Sequence, residues 1–126
     1  MSSPQAGRIY LDFGCHMDVS ADITDADVVM VCHPCPVNGV IKGVYICADV
    51  LPGAGTFDLQ NGSNADVAIV TQEDLTALTA NVGHACTLGA NINVKSTQML
   101  RAVWTFTTIT SGEGFGCIVE IEPTVQ

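Results

Sequence analysis

Basic residues are almost missing from this sequence. Only four of its 126 residues are lysine or arginine, whereas 13 are aspartate or glutamate, so the formal net charge is −9 at pH 7. Nucleic-acid-binding proteins need cations to neutralise phosphates, and anionic membrane surfaces attract polybasic segments. The composition argues strongly against both partners. We expect any macromolecular partner to present a neutral or basic patch.

Charged residues of either sign and long apolar runs are also scarce. Charged residues make up 13% of the chain, against roughly 25% in typical globular proteins, while 48% of the chain is hydrophobic. Such an apolar chain is not expected to be disordered. No apolar run approaches the roughly 20 residues of a membrane span, and the first ten residues contain no apolar signal segment. We therefore expect a protein made in a cytosol that stays there until it is released by other means.

Motifs that would indicate catalysis are missing too. The sequence contains no G-x-S-x-G, no H-E-x-x-H and no phosphate-binding glycine loop. We expect no enzyme, and we assign no catalytic residue, no metal ligand and no cofactor.

One pair of cysteines has the spacing of a possible metal or redox site. Cys32 and Cys35 have C-x-x-C spacing around His33, and Cys15 with His16 would complete a ligand set for tetrahedral zinc. A redox-active pair needs a helix N-terminus to lower the thiol pKa, but a strand pattern follows here. We favour a structural loop, with a disulfide and a metal site as the alternatives.

The chain does contain one strand pattern after another, separated by turn residues. The clearest patterns are Val28–Cys32, Val40–Ala48, Thr56–Gln60, Val67–Thr71, Asn91–Lys95, Met99–Ile109 and Phe115–Ile121. About seven or eight strands at this spacing predict an all-β fold, an antiparallel β-sandwich or jelly roll. The single helix candidate is Gln72–Ala80, which we predict to be a short helix or a loop.

Turn residues and alternation give finer expectations. Asn38-Gly39 is a strong hairpin signal, and residues 111–114 are predicted to join the last two strands as a second hairpin. Asn61–Asn64 predicts another turn. Alternation places Trp104 on an apolar strand face, so we expect it in the core rather than in a sugar-binding site.

The first 25 residues show no clear alternation of apolar and polar residues. We therefore predict a lead-in or arm of residues 1–25 and a sandwich domain of residues 26–126. Within the arm stands a short apolar patch formed by Ile9, Tyr10, Leu11 and Phe13. Two alternatives stay open: the patch docks on a neighbouring molecule, or it packs on its own domain as an edge strand. In the first case, deleting residues 1–22 should leave the domain folded.

The segment Pro36–Tyr45, which reads P-V-N-G-V-I-K-G-V-Y, resembles the apolar, turn, glycine and strand opening of small capsid decoration, or cement, proteins of tailed bacteriophages. The later strands are similar in layout, beginning with Thr56–Ser63 and ending with residues 112–121. The resemblance covers residues 26–122.

This resemblance implies a jelly-roll or related sandwich on the outer surface of a virion, made in the host cytoplasm. Such proteins work as dimers or trimers and clamp neighbouring major capsid subunits, and an N-terminal arm carrying Ile9, Tyr10, Leu11 and Phe13 would reach a neighbour. The alternative function is a glycan-binding or fibre and tail module. For it, the aromatic candidates are Tyr10, Phe57 and Phe115.

Overall fold

Nine strands and one turn of 3₁₀ helix form the secondary structure of the computed structural model, which describes residues 7–13, 28–51, 53–109 and 115–124. The strands are β1 (Ile9–Asp12), β2 (Val28–Pro34), β3 (Gly39–Cys47), β4 (Gly53–Asn61), β5 (Val67–Asp74), β6 (His84–Ala85), β7 (Asn93–Val94), β8 (Met99–Ile109) and β9 (Gly116–Pro123). Within these ranges no helix has the length and apolar character needed to cross a membrane.

The strands form two antiparallel sheets that pack against each other. The first sheet has the order β1-β9-β3-β6, with β7 also paired to β3, and the second has the order β2-β8-β4-β5. The chain repeatedly crosses between the sheets, and only β4 and β5 are consecutive neighbours in one of them. This order is that of a jelly roll, two Greek keys wrapped into one sandwich. The predicted all-β antiparallel sandwich is confirmed.

Two predicted hairpins are wrong, because the strands that they would join lie in different sheets. Asn38-Gly39 connects β2 to β3, which belong to opposite sheets. Residues 111–114 lie outside the described residues, but β8 and β9 also belong to opposite sheets. β8 already pairs with β2 on one edge and β4 on the other, so no edge remains for β9. The turn predicted at Asn61–Asn64 does join two paired strands, β4 and β5.

An aromatic cluster lies at the centre of the core. Trp104 on β8 is fully buried, and its ring centroid lies 4.7 Å from that of Phe57 and 5.4 Å from that of Phe115. Phe106 lies 5.6 Å from Phe115. The predicted inward faces are confirmed at Leu100, Ala102, Trp104 and Phe106 on β8 and at Phe115, Cys117, Val119 and Ile121 near the end of the chain.

The helix candidate Gln72–Ala80 is divided between the end of a strand, a 3₁₀ turn and a loop. β5 extends to Asp74, and only Leu75–Ala77 forms a 3₁₀ turn. The Asp74 carboxylate caps this turn by accepting a 2.9 Å hydrogen bond from the backbone N–H of Thr76, a bond that also lowers the pKa of Asp74. Leu75 and Leu78 are both buried in the core, and one 3₁₀ turn followed by extended chain is sufficient to bury them.

The N-terminal apolar patch forms an edge strand of the sandwich. β1 pairs antiparallel with β9, and Leu11 and Phe13 are 5% and 4% exposed. Their side chains belong to the core of this domain and are not available to a neighbour, which corrects their assignment to a docking arm. Ile9 is half-buried against the same core, and Tyr10 points outward with 61% exposure. The sandwich therefore includes Ile9–Asp12, ahead of the boundary predicted at residue 26.

Replacing Trp104 tests the aromatic cluster. Trp104→Ala should lower the free energy of unfolding by about 3–5 kcal/mol, the range for a large aromatic side chain removed from a core. The indole Nε1 has no hydrogen-bond partner among the described residues. Trp104→Phe should therefore lower the free energy of unfolding clearly less than Trp104→Ala does, because it removes an unpaired donor and keeps an aromatic ring. Urea denaturation measures both. An unchanged midpoint for Trp104→Ala would contradict the packing described.

The edge strand predicts a contrast between neighbouring residues. Leu11→Ala should lower the free energy of unfolding by about 2–5 kcal/mol, because it leaves a cavity in the core. Tyr10→Ala should change it by about 0.5 kcal/mol or less, as for surface substitutions. Equal and small effects in urea denaturation would show that β1 does not stabilise the fold and acts instead as a separate arm.

Candidate functional site

Both tyrosines of the chain lie on the outer face of the first sheet. In the pairing register Tyr10 on β1 lies opposite Glu120 on β9, and Tyr45 on β3 lies opposite Ile118 on β9. Because Ile118 and Glu120 are two residues apart on one strand, all four side chains share a face. Tyr10, Tyr45 and Ile118 are 61%, 38% and 42% exposed, so the patch is open to a partner.

One glycine makes room for Tyr45 on this face. The pairing of β3 with β9 shifts register between Ile41 and Gly43, which is a bulge. The ring of Tyr45 lies across Gly43: a Cβ atom there would stand 2.7 Å from the Tyr45 hydroxyl oxygen. Any side chain at this position would therefore push the ring away from the hydroxyl's partner, Glu120.

The carboxylate of Glu120 is the centre of the polar contacts. It accepts hydrogen bonds from Arg8 Nη1 at 2.6 Å, from the Tyr45 hydroxyl at 3.2 Å and from the Tyr10 hydroxyl at 3.4 Å. The bond to Glu120, together with its negative charge, raises the pKa of Tyr45. Three side chains, two from β1 and the residue before it and one from β3, are thus oriented by one acid.

A second acid takes part in the ion pairs of this patch. Glu122 lies 3.5 Å from Arg8 and 3.8 Å from Lys42, measured between charged atoms. Two of the four basic residues in a strongly acidic chain are therefore placed against two acids on one face. We refer to the following seven residues as the tyrosine face: Arg8, Tyr10, Lys42, Tyr45, Ile118, Glu120 and Glu122.

A shallow groove adjoins the tyrosine face. It has a volume of about 350 Å³, and Tyr45 and Ile118 belong both to the groove and to the face. Cys47, Asp12 and Asp49 also line it. The groove makes the surface beside the tyrosines concave, so it can accommodate a side chain of a partner.

Of the four residues predicted for an interface, Tyr10 is the one whose side chain is exposed on this face. Sequence reasoning missed Tyr45 and Ile118. The alternation of the last strand did indicate that Glu120 points outward, but a period along one strand does not show which strands lie beside it.

The structure separates the residues of the C-x-x-C cluster. Cys32 and His33 are consecutive on β2, so they point to opposite sides; Cys32 is exposed, and His33 lies 5.7 Å from the ring of Phe13. Cys35 is buried, and its thiol donates a 3.1 Å hydrogen bond to the carbonyl of Val37. Cys15 and His16 lie outside the described residues. Among those described, no three His, Cys, Asp or Glu side chains are grouped as a metal site.

No protein-family model matches this chain, and no curated protein or solved structure matches it either. The geometry of the tyrosine face therefore carries the functional proposal.

Thiol reactivity tests the placement of the cysteines. Burial, and secondarily the charge of Glu73, raises the pKa of Cys86 to about 12, and burial raises the pKa of Cys35. Because the thiolate is the reactive form, iodoacetamide should modify exposed Cys32 in the native protein well before Cys35 and Cys86. Peptide mapping by mass spectrometry measures the order. Reaction of Cys86 as fast as Cys32 would contradict the structure.

Proposed function

We propose that this chain is a structural virion protein that decorates the outer surface of a phage capsid and stabilises it by bridging neighbouring major capsid subunits. The observation that supports this most is the tyrosine face, an open surface that carries both tyrosines of the chain and the ion pairs of Arg8 and Lys42. The proposal includes self-association as a dimer or trimer.

The chemistry of the tyrosine face suits protein contact. The centres of protein interfaces are enriched in tyrosine and arginine, and the residues that dominate binding energy are often of these types. Tyr10 and Tyr45 offer large apolar rings with polar tips, and Ile118 adds an exposed aliphatic side chain opposite Tyr45 in the register. A protein that stabilises an assembly needs this kind of contact and needs no catalytic centre.

The rigidity of the face also favours binding. Its residues stand on three paired strands, apart from Arg8, which directly precedes β1. Tyr45 is held by Gly43 and Glu120, so little side-chain freedom remains to be lost. Affinity increases when the surface is ordered before binding, because less entropy is lost on association.

Two basic residues reduce the negative charge of this face. The chain as a whole carries −9, which repels an acidic partner. Arg8 and Lys42 form ion pairs with Glu120 and Glu122, while Asp12 on the same face and Asp49 in the adjoining groove keep the surroundings acidic. A partner with a neutral or basic patch can therefore contact the tyrosines without like-charge repulsion, which at interfaces opposes association.

The alternative of a glycan-binding or fibre module loses two of its three aromatic candidates. Phe57 and Phe115 are 0% and 1% exposed, so neither can stack on a sugar. Tyr10 remains exposed, but its hydroxyl is directed to Glu120 within the tyrosine face. The exposed aromatic residues therefore favour protein contact.

Copy number on purified particles tests the proposed role. Quantitative mass spectrometry of virions from the source lysate should find this chain in fixed ratio to the major capsid protein, at hundreds of copies per particle. A handful of copies would indicate a tail or fibre component. Absence from the particles would overturn the capsid proposal.

A matched pair of variants tests the contact surface. Tyr45→Ala should weaken rebinding to particles stripped of this protein by about tenfold or more, as for interface residues that dominate binding energy. Met30→Ala removes a side chain of 51% exposure from β2 in the opposite sheet and should bind as the unmodified protein does. Equal affinities of the two variants, measured by co-sedimentation, would show that the tyrosine face is not the contact surface.

A further inference from the structure

A polar cleft of about 600 Å³ opens at one end of the sandwich. It forms where the β2–β3, β4–β5 and β7–β8 connections meet the segment after β9. The volume falls within the roughly 300–1,000 Å³ of small-molecule sites. Its polar lining consists of Asn38, Asn64, Asn93, Lys95, Gln98 and Thr124.

Hydrogen bonds orient two of the lining amides. The backbone N–H of Ser96 donates to Asn38 Oδ1 at 2.8 Å, and that of Lys95 donates to Gln98 Oε1 at 2.8 Å. A backbone N–H can only donate, so the accepting atoms must be the amide oxygens. The hydrogen bonds of Asn38 and Gln98 among the described residues use only their amide oxygens, and Asn38 is exposed and Gln98 half-buried. Each therefore has donors available to a ligand.

The wall behind these amides is rigid. Gln98 Oε1 also accepts a 2.9 Å hydrogen bond from the side chain of Asn61, which is 1% exposed. Thr97 has a φ of 74°, a strained backbone for a β-branched residue, and its N–H is bonded to the carbonyl of Cys35 at 2.7 Å. Strain of this kind persists where the surroundings fix it, and it is common at ligand sites.

The lining selects a class of ligand by its charge and donors. No aspartate or glutamate is among the described residues that line the cleft, although the chain has 13 of them, so this lining is not suited to a cation. One lysine in a chain of charge −9 is too little for a polyanion. Amides offer donors and acceptors together, which matches the hydroxyl group.

We propose that this cleft binds a neutral saccharide unit through its side-chain amides, those of Asn64 and Asn93 included. The site shares no residue with the tyrosine face, so neither proposal depends on the other. No aromatic side chain is among the described residues that line it, so hydrogen bonds must supply the affinity. We expect a dissociation constant in the millimolar range for a single sugar.

Two-dimensional ¹H–¹⁵N NMR of the full chain tests the proposal directly, because side-chain amides give their own signals. The protein is titrated separately with glucose, galactose, mannose, rhamnose and N-acetylglucosamine. At least one sugar should produce saturable shifts of the Asn38 and Gln98 side-chain amides. No saturable shift with any of these sugars, or shifts confined to the tyrosine face, would overturn the proposal.

Variants separate binding from folding. Asn64 and Asn93 line the cleft, and their side chains make no hydrogen bond within the described part of the chain, so Asn64→Ala with Asn93→Ala should fold normally and weaken binding at least tenfold. Asn91→Ala is the matched control, because Asn91 does not line the cleft and bonds to the carbonyl of Ala68. It should bind as the unmodified protein does. Equal affinity of the double variant and the control would overturn the assignment to this cleft.

Discussion

The packing of four aromatic rings between the sheets is the interaction on which the rest of the structure depends. Phe57, Trp104 and Phe106 come from the second sheet, and Phe115 directly precedes β9 of the first. Two sheets joined mainly by crossing connections have no shared hydrogen-bond ladder, so side-chain burial must hold them together. Trp104 contacts rings from both sheets, and its strand β8 is paired on both edges.

Both candidate surfaces follow from this constraint. Once alternate residues are buried, their neighbours must point outward, and the register of β1, β9 and β3 brings Tyr10, Tyr45, Ile118 and Glu120 together. The connections gather at the ends of the sandwich, where turn residues such as asparagine are favoured. The polar cleft forms where these connections meet. A contact face of strands and a ligand cleft of loops can thus coexist on one small domain.

Alternation along single strands was sufficient to predict the all-β fold, the burial of Trp104 and the inward face of the last strand. Alternation was insufficient to predict strand pairing. A period of two residues shows which side chains are buried, but it does not show to which sheet the strand belongs. Asn38-Gly39 therefore suggested a hairpin where the chain changes sheets. The tyrosine face depends on pairing between residues more than 70 positions apart, such as Tyr45 and Glu120, and no local pattern encodes that.

The central claim is that the tyrosine face contacts the capsid, and tyrosine footprinting tests it most directly. Hydroxyl-radical labelling is applied to the free protein and to the protein on purified particles, followed by peptide mapping. The account predicts that Tyr10 and Tyr45 are protected on the particle while Met30, exposed on the other sheet, is oxidised equally in both states. Equal labelling of the two tyrosines in both states, or selective protection of Met30, would contradict it.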